Sequence, residues 1–292
     1  MIYFIEQTLN GIQLGMLLFL LAAGLTLIFG IMNLVNLAHG SLFMMGAFFA
    51  ATFAERTDSF VLGAILGVLA SLVFGMVLEV VAIRRLYDRD HLNHVLGTFG
   101  LLLFFNELVR LVWGPAGMTL SLPNEMLSAV QILPGLYYPM YRLVIIAVSF
   151  AVALLLYVVV MRTRLGMLIR AGASNREMVG ALGINIKLLY TLVFGLGAAL
   201  AGFAGLMQAP ITTVQIGMGE NILISAFVVV TIGGIGSIRG AFVAALLVGL
   251  VDTIGRAFVP DLLHRFLSDS AASNLGRSLS SMMIYLLMAI VL

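Results

Sequence analysis

The chain has 292 residues, of which 62% are hydrophobic and only 10% are charged, with a net charge of +2. Soluble domains carry about 25% charged residues, so this composition excludes a soluble globular protein. The absence of cysteine excludes disulfides and cysteine–metal sites. Apolar runs recur along the whole length, and the basic residues cluster between them rather than forming a nucleic-acid-binding surface. We therefore predict an all-α integral membrane protein with a single transmembrane domain over residues 1–292.

Nine apolar runs are candidate membrane spans, because a bilayer core about 30 Å thick needs about 20 apolar residues per helix. In chain order they are Ile12–Ile31, Leu37–Ala54, Phe60–Ile83, Val95–Trp113, Leu143–Met161, Leu188–Met207, Ile222–Gly236, Ala241–Val259 and Leu279–Leu292. Two are doubtful, because Leu37–Ala54 follows three polar residues and Ile222–Gly236 is short and ends in glycines. Either pattern is typical of a broken or re-entrant helix. The prediction is a bundle of eight or nine transmembrane segments.

Basic residues predict the orientation of the chain. Residues 84–94 contain three arginines, and residues 162–187 contain five of the fifteen Lys and Arg. Residues 114–141 contain neither Lys nor Arg but hold four of the six prolines. The positive-inside rule therefore places loops 84–94 and 162–187 in the cytoplasm and loop 114–141 outside.

Small residues recur at helical spacing in two of the predicted spans. Gly197, Ala201 and Gly205 form one stripe, and Gly63 and Gly67 form another. Such stripes let helix backbones approach closely in a membrane, where the hydrophobic effect supplies little drive for association. They indicate either packing inside the bundle or an interface with another subunit, and both remain open at this point.

The loop 162–187 contains the signal for a short helix outside the bilayer. Ser174 followed by Glu177 matches a capping box. It predicts a helix that begins at Asn175, covers eight residues and stops at Gly183. One face of this helix is apolar and consists of Met178, Ala181 and Leu182. So short a helix needs a surface to pack on, and both a groove on a partner protein and the membrane face of the chain itself are consistent with it.

Three longer segments carry a recognisable pattern: RAGASNREMVGALGIN in the polar loop, GLTLIFGIMNLVNLAHGSLFMMGAF at Gly24–Phe48 and VVVTIGGIGSIRGAFVAALLVG at Val228–Gly249. They resemble segments of the permeases of ATP-binding cassette (ABC) importers in the branched-chain amino acid family. They occur in the family's order and span nearly the whole chain. The closer match is to the shorter of the two leucine/isoleucine/valine permease subunits. The chain departs from the family at Asn175 and Arg176, where acidic or mixed residues are usual.

The resemblance implies a multi-pass permease of the bacterial inner membrane for branched-chain amino acids or a similar small amphipathic solute. It implies a heterodimer with a homologous permease, two ATP-binding cassette subunits and an extracytoplasmic solute-binding protein. It also makes loop 162–187 the cytoplasmic loop that couples to the ATPase subunits. The coupling residues that it implies are Arg170, Ser174, Asn175, Arg176, Glu177, Met178, Ala181, Leu182 and Gly183.

ATP hydrolysis is expected on the partner subunits, with their ATP and magnesium, because this chain lacks a phosphate-binding loop. Such a loop ends in Gly-Lys-Ser/Thr, whereas the only lysine, Lys187, follows Ile186. We therefore predict no enzymatic activity, no catalytic residue and no cofactor on this chain. The alternative function is an autonomous channel or an ion-gradient-driven secondary transporter for a small polar solute.

A gradient-driven carrier needs ionisable groups inside its spans. The candidates are Glu79, Glu107, Arg110, Asp252 and Arg256. Two pairs, Glu107 with Arg110 and Asp252 with Arg256, have helical spacing and are expected to bond within the pair. Glu79 lies about one turn from Arg84 and is expected to meet it. Local pairing of this kind favours structural neutralisation over a proton relay.

One more polar group precedes the second predicted span and consists of Asn33, Asn36 and His39. At three-residue steps these side chains cover about 120° of a helix, enough to face one cavity. Two roles fit them: they form hydrogen bonds with a polar solute in its pathway, or they cap the helix that follows and contact neighbouring helices. A single histidine without carboxylates is a poor ligand set, so no metal site is predicted.

Overall fold

The computed structural model describes residues 1–87, 89–265 and 268–291, which form an α-helical bundle. Its helices are α1 Ile2–Met32, α2 His39–Thr57, α3 Phe60–Val81, α4 His91–Trp113, α5 Asn124–Leu127, α6 Met140–Arg162, α7 Arg164–Ser174, α8 Arg176–Ala181, α9 Ile186–Gln208, α10 Met218–Gly233, α11 Ile238–Leu263 and α12 Asp269–Val291. A 3-10 turn covers Ile83–Leu86, and a hairpin joins β1 (Ala129–Leu133) to β2 (Leu136–Pro139). Asp88 of loop 84–94 and Leu292 of the last predicted span lie outside the described residues.

Seven helices in these ranges are long and apolar enough to cross a membrane: α1, α3 with the 3-10 turn, α4, α6, α9, α11 and α12. The shorter helices α2 and α10 have 19 and 16 residues. They coincide with the two doubtful runs of the sequence. The predicted all-α, polytopic membrane fold is therefore confirmed, with nine bundle segments in the described part of the chain.

Helix α1 is the centre of the bundle. In its most apolar stretch 83% of the residues are buried inside the protein, compared with 22% in α4 and α6 and 17% in α12. It packs against α9, α10 and α11, and α9 packs in turn against α2 and α3. The core therefore lies between α1, α2 and α9, whereas α4, α6 and α12 form the rim.

The helical structure is interrupted between α1 and α2. Asn33 ends α1 in a left-handed backbone conformation, with φ of 50°. Residues 34–38 then lead to His39, whose Nε2 atom is hydrogen-bonded to the Leu21 carbonyl oxygen at 3.1 Å. Leu21 lies about 16 Å before the end of α1. Helix α2 therefore begins beside the middle of α1, as a broken segment.

Helix α10 is the second broken segment and begins beside the start of α2. Gly219 in its first turn packs so closely on Gly40 that a Cβ atom on Gly40 would lie 2.6 Å from the Gly219 carbonyl oxygen. Just beyond the last residue of α10, Gly236 meets Gly30 near the end of α1. Helix α10 therefore runs from the middle of the bundle to the end where α1 terminates. We call this the loop end, because α7 and α8 lie there, and the opposite one the hairpin end.

The predicted small-residue stripe of α9 packs inside the bundle. A Cβ atom on Gly197 would lie 3.0 Å from the Gly24 carbonyl oxygen of α1, and a side chain at Gly205 would collide with the Phe43 carbonyl of α2. Ala201 between them is completely buried. For this stripe, packing within the chain is confirmed.

The hairpin end carries a small β-structure that the sequence analysis does not predict. The two strands pair antiparallel and are joined by Pro134 and Gly135, whose φ of 86° favours glycine. Tyr138 of β2 is buried, and its hydroxyl donates a hydrogen bond to the Asn10 side chain of α1 at 3.0 Å. Part of loop 114–141 is therefore a lid packed onto the bundle rather than a free loop.

Candidate functional site

The segment between α6 and α9 folds into two short helices that are started by side-chain caps. The Thr163 hydroxyl accepts a hydrogen bond from the Gly166 N–H at 3.2 Å and starts α7. The side-chain oxygen Oδ1 of Asn175 accepts one from the Met178 N–H at 2.9 Å and starts α8. Asn185 caps α9 in the same way. These caps satisfy N–H groups that the first turn of a helix leaves unpaired.

The predicted capping box at Ser174 and Glu177 is wrong. Ser174 is the last residue of α7, and Asn175 is the cap of α8. Serine and asparagine are both competent caps, so the outcome depends on where the preceding helix ends. Asn175 has an extended backbone with φ of −155°, which separates the two helices one residue later than the box predicts.

Gly183 ends α8 as predicted. Its φ of 84° is a conformation that side chains disfavour. Its N–H donates to the Gly180 carbonyl at 3.0 Å, and the Ile184 N–H donates to the Val179 carbonyl at 3.4 Å. This pair of bonds is the Schellman motif, which satisfies the last carbonyls of a helix. Helix α8 therefore has a defined start and a defined stop.

Helix α8 presents the predicted apolar face to the surroundings. Met178 is 58% exposed and Leu182, which directly follows the helix, is 73% exposed. Ala181 is exposed as well. Val179 is buried and holds the helix against the bundle. The short helix is thus anchored by one side chain, while its predicted face is uncovered in the single chain.

Arg170 makes an anchoring contact. Its guanidinium donates a hydrogen bond to the Val160 carbonyl near the end of α6. Gly166 packs against the backbone of the same turn, where a Cβ atom would collide with that carbonyl. Helix α7 is therefore fixed to α6. Arg176 and Glu177 of α8 are exposed, as is Arg170 itself.

A cavity of about 950 Å³ opens at the loop end. It lies between the end of α1, the segment that follows the 3-10 turn, and the corner where α7 meets α8. Its polar lining includes Asn33, His94, Asn175, Arg176 and Glu177. One residue of the predicted pathway, Asn33, and four of the predicted coupling residues, Ser174 to Glu177, therefore line the same cavity.

Asn36 and His39 are completely buried, whereas Asn33 is exposed, so the prediction that the three face one cavity is wrong. The reason is that Asn33 ends α1 and residues 34–38 are not helical, which removes the assumed helical spacing. The predicted capping is wrong as well, because Ala38 occupies the cap position of α2 and no side chain bonds there. The predicted contact with a neighbouring helix does form at His39, whose Nε2 atom is hydrogen-bonded to the Leu21 carbonyl oxygen of α1.

Four polar atoms of the buried side chains at this break lack hydrogen-bond partners within the described residues. Both polar atoms of the Asn36 side chain, the Nδ1 atom of His39 and the hydroxyl of Ser41 are unpaired. Ser41 lies in the first turn of α2 and is only 3% exposed. We call Asn36, His39 and Ser41 the polar break. No local pattern marks Ser41 as a member of this group, because a hydroxyl in a predicted span usually bonds the preceding turn.

A second buried polar cluster surrounds Glu79 at the loop end. Glu79 is completely buried and accepts hydrogen bonds from Arg84 at 2.9 and 3.1 Å. The hydroxyls of Tyr87 and Thr191 also donate to it, both at 2.6 Å. Burial and the bond to Glu79 raise the pKa of the Tyr87 phenol, which keeps it protonated as a donor. We call these four residues the Glu79 cluster; the predicted pairing of Glu79 with Arg84 is confirmed.

The two other predicted ion pairs also form. Arg110 meets Glu107 at 2.8 Å on α4, and Arg256 meets Asp252 at 2.8 Å on α11. All of the predicted ionisable groups in the spans are therefore paired locally, as a structural role requires.

Residues 7–292 match the model of a family described as branched-chain amino acid transport system, permease component. The high-affinity branched-chain amino acid transport system permease protein BraD of Pseudomonas aeruginosa is 31% identical over 265 residues, which cover 87% of this chain and 86% of that protein. The corresponding permease protein LivH of Escherichia coli is 29% identical over 277 residues, 88% of each chain. No solved structure matches the chain.

Proposed function

The chain belongs to the family of permease components of branched-chain amino acid transport systems, and from this premise we propose that it is the permease subunit of an ATP-driven importer. Together with a homologous permease it forms the pathway for branched-chain amino acids or a similar small amphipathic solute. Two ATP-binding cassette subunits hold ATP and magnesium, and an extracytoplasmic solute-binding protein delivers the solute. This chain binds no cofactor and catalyses no reaction.

The proposal places the chain in a bacterial inner membrane with its loop end in the cytoplasm. Loops 84–94 and 162–187 then face the ATPase subunits, and residues 114–141 with the hairpin face the solute-binding protein. The arginine distribution supports this orientation, because basic residues are retained on the cytoplasmic side of a membrane.

The observation that carries the coupling role is the exposed apolar face of α8. A short helix with fixed ends that exposes Met178 and Leu182 fits the recognition mode in which a helix docks into a groove of a partner protein. Burial of such side chains contributes about 1.5–3 kcal/mol each. Helix α8 leads directly into α9, which packs against α1, α2 and α3. A displacement of α8 by the ATPase subunits is therefore carried to the core of the bundle.

The other coupling residues have distinct roles in this proposal. Ser174 and Gly183 border α8 at its two ends, and Arg170 fixes the adjoining helix to α6. Asn175, Arg176 and Glu177 form the start of the helix that docks and line the cavity at the loop end. At this cavity, charged groups of an ATPase subunit contact the chain. Asn33 lines this cavity rather than the solute pathway.

We assign the solute pathway to the region of Asn36 and His39. A buried amide or imidazole nitrogen without a partner is costly, so its presence in the centre of a bundle calls for a functional reason. A polar solute that passes the break supplies the missing hydrogen bonds. The alternative of a gradient-driven carrier is less well supported, because Glu79, Glu107 and Asp252 are each paired with a neighbouring arginine.

The experiment that tests the importer proposal compares two sets of proteoliposomes. One contains this chain together with the homologous permease and the ATPase subunits, and the other contains this chain alone. With binding protein outside and ATP inside, we expect leucine uptake only in the first set. Uptake by the chain alone, driven by an ion gradient or without any energy source, would establish the autonomous transporter instead.

The coupling role of α8 is tested by charge introduced into its exposed face. The double variant Met178→Glu, Leu182→Glu should reduce co-purification of the ATPase subunits at least tenfold, because two carboxylates then enter the groove. The matched control is Met167→Glu on α7, which is similarly exposed at 55%. Normal ATPase binding by the double variant contradicts the role assigned to α8.

A further inference from the structure

Helices α4 and α10 carry polar side chains on a surface that lies at membrane depth. Glu107 and Arg110 of α4 have 65% and 53% of their side chains exposed. Asn106 on the same helix donates a hydrogen bond to the Glu220 carboxylate of α10 at 2.6 Å, a contact across 114 positions of sequence. Glu220 is exposed as well. We call Asn106, Glu107, Arg110 and Glu220 the polar face.

The position of these residues along the helices places the polar face within the membrane. Asn106 lies about 22 Å from the first residue of α4 and about 10 Å from its last residue, Trp113, and so lies two turns inside the helix. Glu220 follows Gly219, which packs against Gly40 beside the middle of α1. Ionisable side chains at this depth face a water-filled cavity or another subunit rather than lipid. In the assembled transporter the polar face therefore contacts water or another protein rather than lipid.

Charge on this face is not balanced. Glu107 and Arg110 neutralise each other in an ion pair. Glu220 has only the neutral amide of Asn106 as a partner in the described residues, which orients the carboxylate without cancelling its charge. The polar face thus presents one net negative charge, next to the point where the two broken helices meet.

The same point carries the polar break. Gly40, which Gly219 touches, lies between His39 and Ser41, and the Ser41 hydroxyl is buried without a partner. A fixed carboxylate and unpaired hydrogen-bonding groups therefore occur around one helix junction. A small solute with an ammonium group at one end and hydrogen-bonding oxygens nearby matches this combination, whereas urea or a purely anionic solute does not require the carboxylate.

We propose that Glu220, oriented by Asn106, recognises the ammonium group of the transported amino acid and so selects zwitterionic solutes within the pathway. This inference rests on the proposed permease function. Glu220 also lies in the first turn of α10, where a carboxylate stabilises the helix through its dipole. A structural role of that kind predicts altered assembly, whereas recognition predicts an altered dependence of uptake on leucine concentration.

The test uses the full complex in proteoliposomes and the variant Glu220→Gln. Glutamine keeps an oxygen that accepts the Asn106 bond and removes only the charge. We expect the KM for leucine uptake to rise at least tenfold, with normal yield of the complex and normal ATP hydrolysis in the absence of solute. The matched control is Glu125→Gln, which removes an exposed carboxylate at the hairpin end and should leave the KM unchanged.

Cysteine labelling tests the position of the face independently, because the chain has no cysteine of its own. A membrane-impermeant, charged methanethiosulfonate should modify the Glu220→Cys chain in the assembled complex, as detected by the mass of this chain, and leucine should slow the reaction. Leu154→Cys, at a site on α6 that is 57% exposed, should stay unmodified as a lipid-facing control.

The outcomes separate this inference from the proposed function. If the complex with the unaltered chain takes up no leucine, the permease proposal itself fails. If that complex transports leucine and Glu220→Gln has an unchanged KM, the role of Glu220 in recognition is refuted. Absence of labelling at position 220, with or without leucine and ATP, refutes its location in the pathway.

Discussion

The Glu79 cluster and the polar break are both buried polar groups in the same bundle, but they differ in how far they are paired. Glu79 of α3 accepts hydrogen bonds from three side chains: Arg84 in the 3-10 turn, Tyr87 directly after it and Thr191 in α9. Asn36 and Ser41 of the polar break have no side-chain hydrogen bond in the described part of the chain. Burial alone therefore does not distinguish a structural polar group from a functional one.

The difference has an energetic meaning. A buried carboxylate with all of its partners in place holds elements together, and removal of one partner leaves an uncompensated charge or donor. A buried amide without a partner lowers stability and is replaced at little cost. We therefore infer that the Glu79 cluster stabilises the loop end of the bundle and that the polar break serves the solute. Each of the following substitutions tests one side of this contrast.

The largest effect is expected for Glu79→Ala. The substitution leaves Arg84, Tyr87 and Thr191 without their common acceptor, so the free energy of unfolding should fall by about 3 kcal/mol. Thermal unfolding in detergent measures it. The control is Glu107→Ala, whose exposed ion pair should contribute about 1 kcal/mol or less. Equal losses in the two variants would remove the distinction between a buried and an exposed pair.

A smaller loss is expected for Tyr87→Phe, which deletes one hydrogen bond to the Glu79 carboxylate and keeps the ring. Hydrogen bonds to charged groups contribute about 1.5 kcal/mol or more, so a loss of about 1.5 kcal/mol is expected. Tyr137→Phe on the hairpin is the control, because that side chain is 64% exposed. An unchanged unfolding temperature for Tyr87→Phe would show that this hydrogen bond does not stabilise the fold.

Asn36→Ala is expected to change stability by less than about 1 kcal/mol, because the lost packing is offset by removal of a desolvated amide. Asn10→Ala provides the contrast. The Asn10 side chain accepts bonds from Tyr138 and Arg142, so its loss should be clearly larger. If Asn36→Ala lowers the free energy of unfolding more than Asn10→Ala does, Asn36 has a structural partner and the polar break is not unpaired.

The smallest effect is expected for Ser41→Ala, which should leave stability within about 0.5 kcal/mol because no hydrogen bond is lost. Ser71→Ala is the matched change at a buried serine that does bond, to the Gly67 carbonyl at 2.8 Å. It should cost about 1 kcal/mol. Comparison of the two unfolding temperatures shows whether pairing predicts the cost of losing a buried hydroxyl.

Local features of the fold follow from the sequence, because they depend on periodicity and short spacing. Apolar run length predicts the spans and singles out α2 and α10 as the exceptional ones. Spacing of three and four residues predicts the ion pairs of Glu107 with Arg110 and Asp252 with Arg256, which form. The stop of α8 at Gly183 is predicted for the same reason, since a left-handed residue favours glycine.

Features that depend on tertiary packing are missed. Thr191 reaches Glu79 across 112 positions, and no local pattern marks that contact. The predicted cap of α8, Ser174, is wrong by one residue. Ser174 and Asn175 are both competent caps, and the cap is Asn175 because α7 extends to Ser174. The grouping of Asn33 with Asn36 and His39 assumed a continuous helix, which the left-handed backbone of Asn33 ends.

The most direct test of the contrast is the initial rate of leucine uptake by the full complex, measured for Asn36→Ala and Tyr87→Phe below their unfolding temperatures. Uptake by Asn36→Ala should fall at least tenfold although the protein is as stable as the parent. Uptake by Tyr87→Phe should stay near the parental rate although the protein is less stable. Parental uptake by Asn36→Ala would contradict the assignment of the polar break to the solute pathway.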